Sequence, residues 1–229
     1  MNAATEELKN LRDRYGDWLL TLLTALLILM LFVLAPLQAA GHLVFQGLAV
    51  AGLLAIIGGM LIISTSTVAL TLMAIAFVAN ACVFFWRINH PPWPLDLYLI
   101  AGGWLVVSLT LGTVIAGAVF RRGLVTYHRI IGAILLYLLI ALTFATLFAF
   151  VGLTIPSSFK GIVFEEEPKL VNSIIYLSFV TLTSTGYGDI VPVHPLARSL
   201  CNLEAVIGQL FPATLLARLV TLQNQELRT

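Results

Sequence analysis

Thr183-Ser184-Thr185-Gly186-Tyr187-Gly188-Asp189 is the stretch on which the reading of this 229-residue chain turns. A short apolar segment, 174–182, runs into it, and a hydrophobic span that starts near Ala197 follows it. Glycine enters the mirror-image backbone regions at little cost, so Gly186 and Gly188 let successive carbonyls point the same way. Stacked rings of such carbonyls can replace the hydration shell of a cation. The hydroxyl of Ser184 can close the innermost ion site. Short helix, glycine-bearing turn and membrane helix together set this stretch apart from a chance Gly-Tyr-Gly turn in a loop.

Hydrophobic residues make up 60% of the chain and charged residues 10%, whereas a soluble domain carries roughly a quarter charged residues. The composition is that of an integral membrane protein. Apolar stretches long enough to cross about 30 Å of hydrocarbon as helices run over 18–37, 43–63, 68–86, 97–120, 130–153 and 200–220. The segment 171–183 is too short to span and reads as a re-entrant helix. Turn and polar residues collect at the breaks, as in Asn89-His90-Pro91-Pro92 and Arg121-Arg122-Gly123.

Six spans put both termini on one side. Lys9, Arg12, Arg14, Arg121, Arg122, Arg129, Arg218 and Arg228 then share a face, against Arg87, Lys160, Lys169 and Arg198 on the other. The excess of basic residues on the first face places the termini in the cytoplasm, and the 183–189 loop opens outward. Glu6, Glu7, Asp13 and Asp17 spoil the basic start of a signal peptide, so the first apolar run reads as an uncleaved span. Before it, Leu8, Leu11, Tyr15 and Trp18 recur at helical spacing, as in an amphipathic helix at the cytoplasmic interface; a frayed polar tail is the alternative.

Cys82 and Cys201 fall inside spans and suggest neither a disulfide nor a metal site. The four histidines lie at span ends or in loops. HExxH, Walker and dinucleotide motifs are missing, as are paired carboxylates, so enzymatic chemistry has no foothold and no organic cofactor is expected.

Residues 183–189, with the short helix before and the span after, resemble the potassium-channel signature usually written Thr-Val-Gly-Tyr-Gly-Asp. The resemblance covers about 130–222, the outer helix, pore helix, filter and inner helix. It implies potassium ions held at Ser184, Thr185, Gly186, Tyr187 and Gly188. Because the chain carries one filter and such a pore needs four, it implies a homotetramer. Ser184 stands where the family usually has Thr, and Thr185 where it has Val. Neither change removes an oxygen, but the Thr185 hydroxyl needs a partner among the pore-helix side chains. Without one, selectivity loosens.

Filter support falls on Thr183, Tyr176, Asp189 and Glu204. Tyr176 stands where the family commonly has Trp and either hydrogen-bonds Asp189 or is a plain aromatic spacer. Glu204 lies at membrane depth, where an acid is costly; Ser178, Thr181 and Thr183 are its candidate partners, in a structural or a gating role. Gly208, nineteen residues after Asp189, takes the family's hinge position, and Pro212 removes the helical bond to its carbonyl. Substitutions at either are expected to alter opening and to leave selectivity intact, the filter being a separate element. Gln209 and Pro212 face the cavity by alignment with the family. Glu165, Glu166 and Glu167 either make the external mouth negative or form a solvated charge run.

The expected fold is an all-α membrane protein of six transmembrane helices with a re-entrant pore helix and filter loop, assembled as a fourfold ring. The expected divisions are an amphipathic segment at 1–16, a four-span domain at 17–120, a basic linker at 121–129, a pore domain at 130–222 and a tail at 223–229. The fourth span holds no basic residue, so it lacks the spaced arginines of a voltage sensor. Small residues such as Gly58, Gly59, Gly102 and Gly103 suit close packing in the first four spans. The tail is too short for a nucleotide- or calcium-binding gating domain, so a gating stimulus and any regulatory partner are not legible. The reading is a potassium channel of a bacterial inner membrane, in contact with lipid and not with nucleic acid. A weakly selective monovalent cation channel is the alternative, and a transporter or scaffold is the reading from another class.

Overall fold

The computed structural model describes residues 18, 20–39, 67–90, 94–120, 127–164 and 169–226. Hydrocarbon offers no partner to a backbone N–H or C=O, so long apolar runs satisfy their own backbone as helices. In chain order these are α1 (Leu20–Leu37), α2 (Thr67–Asn89), α3 (Pro94–Val119), α4 (Tyr127–Thr154), α5 (Lys169–Leu182) and α6 (Pro195–Glu226). Among the described residues, α1, α3, α4 and α6 contain runs long and apolar enough to cross a membrane; α2 carries a shorter run, Val68–Val83, and α5 another, Leu170–Leu182. The expected span at 43–63, the segment 1–16 and Glu165 to Glu167 lie outside the described residues.

Several boundaries differ from those expected, those of α5 and α6 among them. Helix α5 begins at Lys169 and ends at Leu182, and α6 begins at Pro195, ahead of the apolar run at 200. Proline suits the first helical position because its missing N–H would have no partner there. His194 Nδ1 accepts the Leu196 N–H at 3.2 Å, so a polar cap sets the start rather than hydrophobicity.

The chain divides into two compact units. One comprises residues 1–71 and 111–136, with α1 among them. In it the Thr24 hydroxyl donates to the Leu20 carbonyl at 2.7 Å, and Gly132 lets α4 close on α3, since a Cβ there would lie 2.9 Å from Val119 Cγ2. Helix α1 widens into a π turn over Met30–Leu34, just ahead of Pro36, whose ring cannot take a normal helical bond.

The second unit comprises residues 72–110 and 137–229. Gly103 receives the Asn80 side chain of α2, where a Cβ would lie 1.8 Å from Nδ2. The Thr143 and Ser108 hydroxyls meet at 3.2 Å, and the Tyr98 hydroxyl donates to the Leu153 carbonyl at 2.8 Å. The core gathers Phe144, Phe148, Phe159, Leu177, Ala197 and Cys201 from α4, α5, α6 and the loop between α4 and α5.

That loop holds a feature with no counterpart in the sequence reading. Strand β1 (Phe159–Lys160) pairs antiparallel with β2 (Val191–Pro192), matching Phe159 to Pro192 and Lys160 to Val191. The Ser158 carbonyl accepts the Val193 N–H at 2.8 Å. Gly161, at φ +90°, passes so close to the 189–190 backbone that a Cβ would lie 2.1 Å from the Asp189 carbonyl oxygen. The chain before α5 is thereby tied to the chain just after Gly188.

Candidate functional site

Helix α5 has 14 residues, about 21 Å at 1.5 Å per residue, and stops short of a full crossing. The last carbonyls of a helix have no partner within it. Here the next four amides supply them. Thr183 N donates to Phe179 O at 3.0 Å, Ser184 N to Thr181 O at 2.9 Å, and Thr185 N to Val180 O at 2.9 Å, with Gly186 N reaching the same Val180 oxygen at 3.4 Å. The strand after α5 therefore turns its amides toward the helix.

Its φ values alternate in sign: Ser184 at 55°, Gly186 at 59° and Gly188 at 80° are left-handed. Thr185 and Tyr187, between them, are not. A strand alternating between mirror-image regions carries its carbonyls on one side. For Ser184 this conformation costs roughly 1–3 kcal/mol, because a side chain is present. Residues 183–189 are all exposed in the single chain, Tyr187 to 70%.

The Thr185 hydroxyl lies 2.8 Å from that of Thr183, and Thr183 Oγ1 donates to the Phe179 carbonyl at 2.7 Å. One proton per hydroxyl then orders the chain Thr185 to Thr183 to Phe179, so the Thr185 hydroxyl is partnered. Tyr176 and Tyr187 stack with parallel rings, 6.3 Å between centroids. The Tyr176 hydroxyl bonds the Asp189 carboxylate, and that bond holds Asp189 below its ordinary pKa of 3.8.

Glu204 is fully buried. Of its three candidate partners it meets Ser178, whose hydroxyl contacts Glu204 Oε1 and donates to the Ala141 carbonyl at 2.6 Å. A serine hydroxyl has one proton. With that proton on Ala141 O, the contact to Glu204 is a hydrogen bond when the carboxyl is neutral and donates. Thr183, another candidate, is committed to Phe179 and Thr185.

Helix α6 runs unbroken through Pro212, which is exposed. Gly208 is buried against α5; a Cβ there would lie 1.9 Å from the Leu182 carbonyl oxygen. Gly208 lies on an element separate from residues 183–189, but its backbone touches the last residue of α5 directly. The glycine is where α6 docks on the end of α5, an approach that allows no side chain. Gln209 is exposed, and its Nε2 donates to Ser184 Oγ at 2.9 Å.

Tyr137 was not singled out in the sequence. Its hydroxyl donates to the Leu182 carbonyl at 3.4 Å, and its ring packs on Phe211 with centroids 5.8 Å apart. A phenol inside an apolar span requires a polar partner, and that is the signal that could have found it.

Residues 130–223 match a family model described as "Ion channel". The chain is 36% identical over 56 residues to Protein LctB of Bacillus caldotenax, covering 24% of this chain and 41% of that protein. To Protein LctB of Geobacillus stearothermophilus it is 37% identical over 65 residues, 28% of this chain and 45% of that protein. The chain thus spans less than half the length of the curated relatives it matches. No solved structure matches. Residues 130–223 are thus similar to an ion-channel region, and the four apolar helices among the described residues are those of an integral membrane protein.

Proposed function

We propose that the chain is a potassium-selective channel, a homotetramer whose four 184–188 strands line one axis and conduct ions passively. The observation that carries this reading is the alternation of backbone hand at Ser184, Gly186 and Gly188, with the amides of residues 183–186 bonded back to α5. The carbonyls are left to one side, where four copies would replace the water around a dehydrated potassium ion. The C-terminal end of α5, with its partial negative charge, favours a cation at mid-membrane. Ser184 contributes a hydroxyl at the innermost site, and Asp189, braced by Tyr176, stands at the outer end.

Selectivity over sodium is favoured because the Thr185 hydroxyl has its partner in Thr183. Voltage sensing is disfavoured because α3 carries no basic residue. In this reading six spans put both termini in the cytoplasm of a bacterial inner membrane, and the exposed apolar residues of α6, among them Leu196, Leu203, Val206 and Leu210, meet lipid or neighbouring copies. The test is mass in detergent followed by thallium or rubidium flux into proteoliposomes. A tetramer that passes rubidium and excludes sodium agrees with the proposal. A tetramer that passes both equally indicates a weakly selective cation channel, and a monomer without flux indicates a transporter or scaffold.

A further inference from the structure

We infer that Gln209 is a positioning residue for the innermost ion site, its amide fixing the Ser184 hydroxyl at the inner end of the filter. The inference rests on the channel reading above and assigns within it how that site is kept in shape. Ser184 is held in the left-handed region at φ 55°, a conformation few side chains adopt. Threonine, the residue more usual in such a filter, has a γ-methyl that restricts its χ1. Serine lacks that methyl, so its hydroxyl needs another restraint.

Two bonds hold it. The Ser184 N–H donates to the Thr181 carbonyl at 2.9 Å, which fixes the backbone. The Gln209 amide, 25 residues further on, donates to Ser184 Oγ at 2.9 Å, which fixes the side chain. The preceding residue makes that reach reproducible. Gly208 lies directly on the Leu182 carbonyl with no space for a Cβ, so α6 is seated against α5 at the turn that carries Gln209. Gly208 sets the distance, and Gln209 spans it.

The chemistry of the contact follows from donor and acceptor counting. A hydroxyl oxygen has two lone pairs and one proton. The glutamine donor occupies one lone pair and leaves the other to face a cation. An amide also carries a carbonyl oxygen, so four Gln209 side chains would form a ring of acceptors below the filter, where an ion exchanges its water. An apolar side chain at 209 would leave the Ser184 hydroxyl free to rotate away, and the innermost site would lose a fixed ligand.

Internal barium is the probe, because it binds at the inner end of the filter and its block can be measured on conducting channels. Wild type, Gln209→Leu, Gln209→Asn, Ser184→Thr and the Gln209→Leu/Ser184→Thr pair would be purified as tetramers and recorded in planar bilayers. Leucine keeps the bulk without the donor, and asparagine keeps the amide on a stem one methylene too short. Both single variants at 209 are expected to weaken internal barium block about tenfold and to change the rubidium-to-potassium permeability ratio. Ser184→Thr, which restores a γ-methyl, is expected to recover most of that loss in the Gln209→Leu background. Such a rescue is a coupling between neighbours that independent sites would not show.

Unchanged barium block and permeability ratio in conducting Gln209 variants would overturn the inference, as would strictly additive effects in the pair. Failure of both Gln209 variants to assemble would overturn it too, in favour of a role in folding. A wild-type tetramer that carries no potassium current would overturn the channel reading itself, which separates the two failures.

Discussion

The Gly208 Cα rests on the carbonyl of Leu182, so closely that a Cβ would lie 1.9 Å from the oxygen. Leu182 ends α5 and Gly208 lies midway along α6, so the 183–189 strand and the last helix share a seat. Gly208→Ala must push α6 away from α5, or push the filter out of shape. The expected outcome is loss of current, or current with lowered potassium selectivity, far beyond the roughly 1 kcal/mol change in helix propensity. Pro212→Ala restores a bond to the Gly208 carbonyl without touching α5, and should change open probability with the reversal potential unmoved. Single-channel recording of the two variants checks both.

The Glu204–Ser178–Ala141 chain calls for one proton more than serine has, and a neutral Glu204 supplies it. Glu204→Gln, which also offers a donor and an acceptor, should leave tetramer stability close to wild type. Ser178→Ala strands a buried acid and should cost about 1–3 kcal/mol. Thermal dissociation of the tetramer in detergent measures both. Glu204→Gln falling as far as Ser178→Ala would show that the carboxyl is ionised in place.

At the outer end, the Tyr176 bond depresses the Asp189 pKa below 3.8. A depressed carboxylate keeps its bonded, ionised form above its ordinary pKa and loses it as pH falls through the lowered value. External acid should therefore leave the Asp189 contribution to conduction intact between about pH 8 and pH 5. Tyr176→Phe removes the donor and should move the acid-induced fall in current to higher pH. Current against external pH, wild type beside variant, reads the shift.

Helix α3 has Asp96 in its first turn and no basic residue along its length. Moving it through the field would carry almost no charge, so the roughly 2.3 kcal/mol per charge per 100 mV that drives a voltage sensor is missing from it. Open probability should vary shallowly with voltage. A gating charge of several units per channel, measured from the limiting slope, would overturn this.

The turn after α5 was legible because its cues are local: two glycines two residues apart, after a helix too short to span. The apolar spans were legible because hydrocarbon leaves a chain few choices. Contacts made across elements were not. Strands Phe159–Lys160 and Val191–Pro192 have two residues each, too few for an alternating pattern to register. The Gln209–Ser184 bond depends on where α6 seats against α5, and that seat is made by Gly208, which by itself reads equally as a hinge. Glu204 could be placed at membrane depth, but three hydroxyls competed for it until the helices were brought together. The start of α6 was missed because Pro195 and a histidine cap set it ahead of any hydrophobic signal.

The bi-ionic reversal potential, with potassium on one side of a bilayer and sodium on the other, tests the central claim most directly. At about 59 mV per tenfold ratio for a monovalent ion, a filter of partnered threonines and aligned carbonyls should shift reversal by more than about 100 mV toward the potassium equilibrium. A reversal potential near zero, from tetramers that conduct, would contradict it.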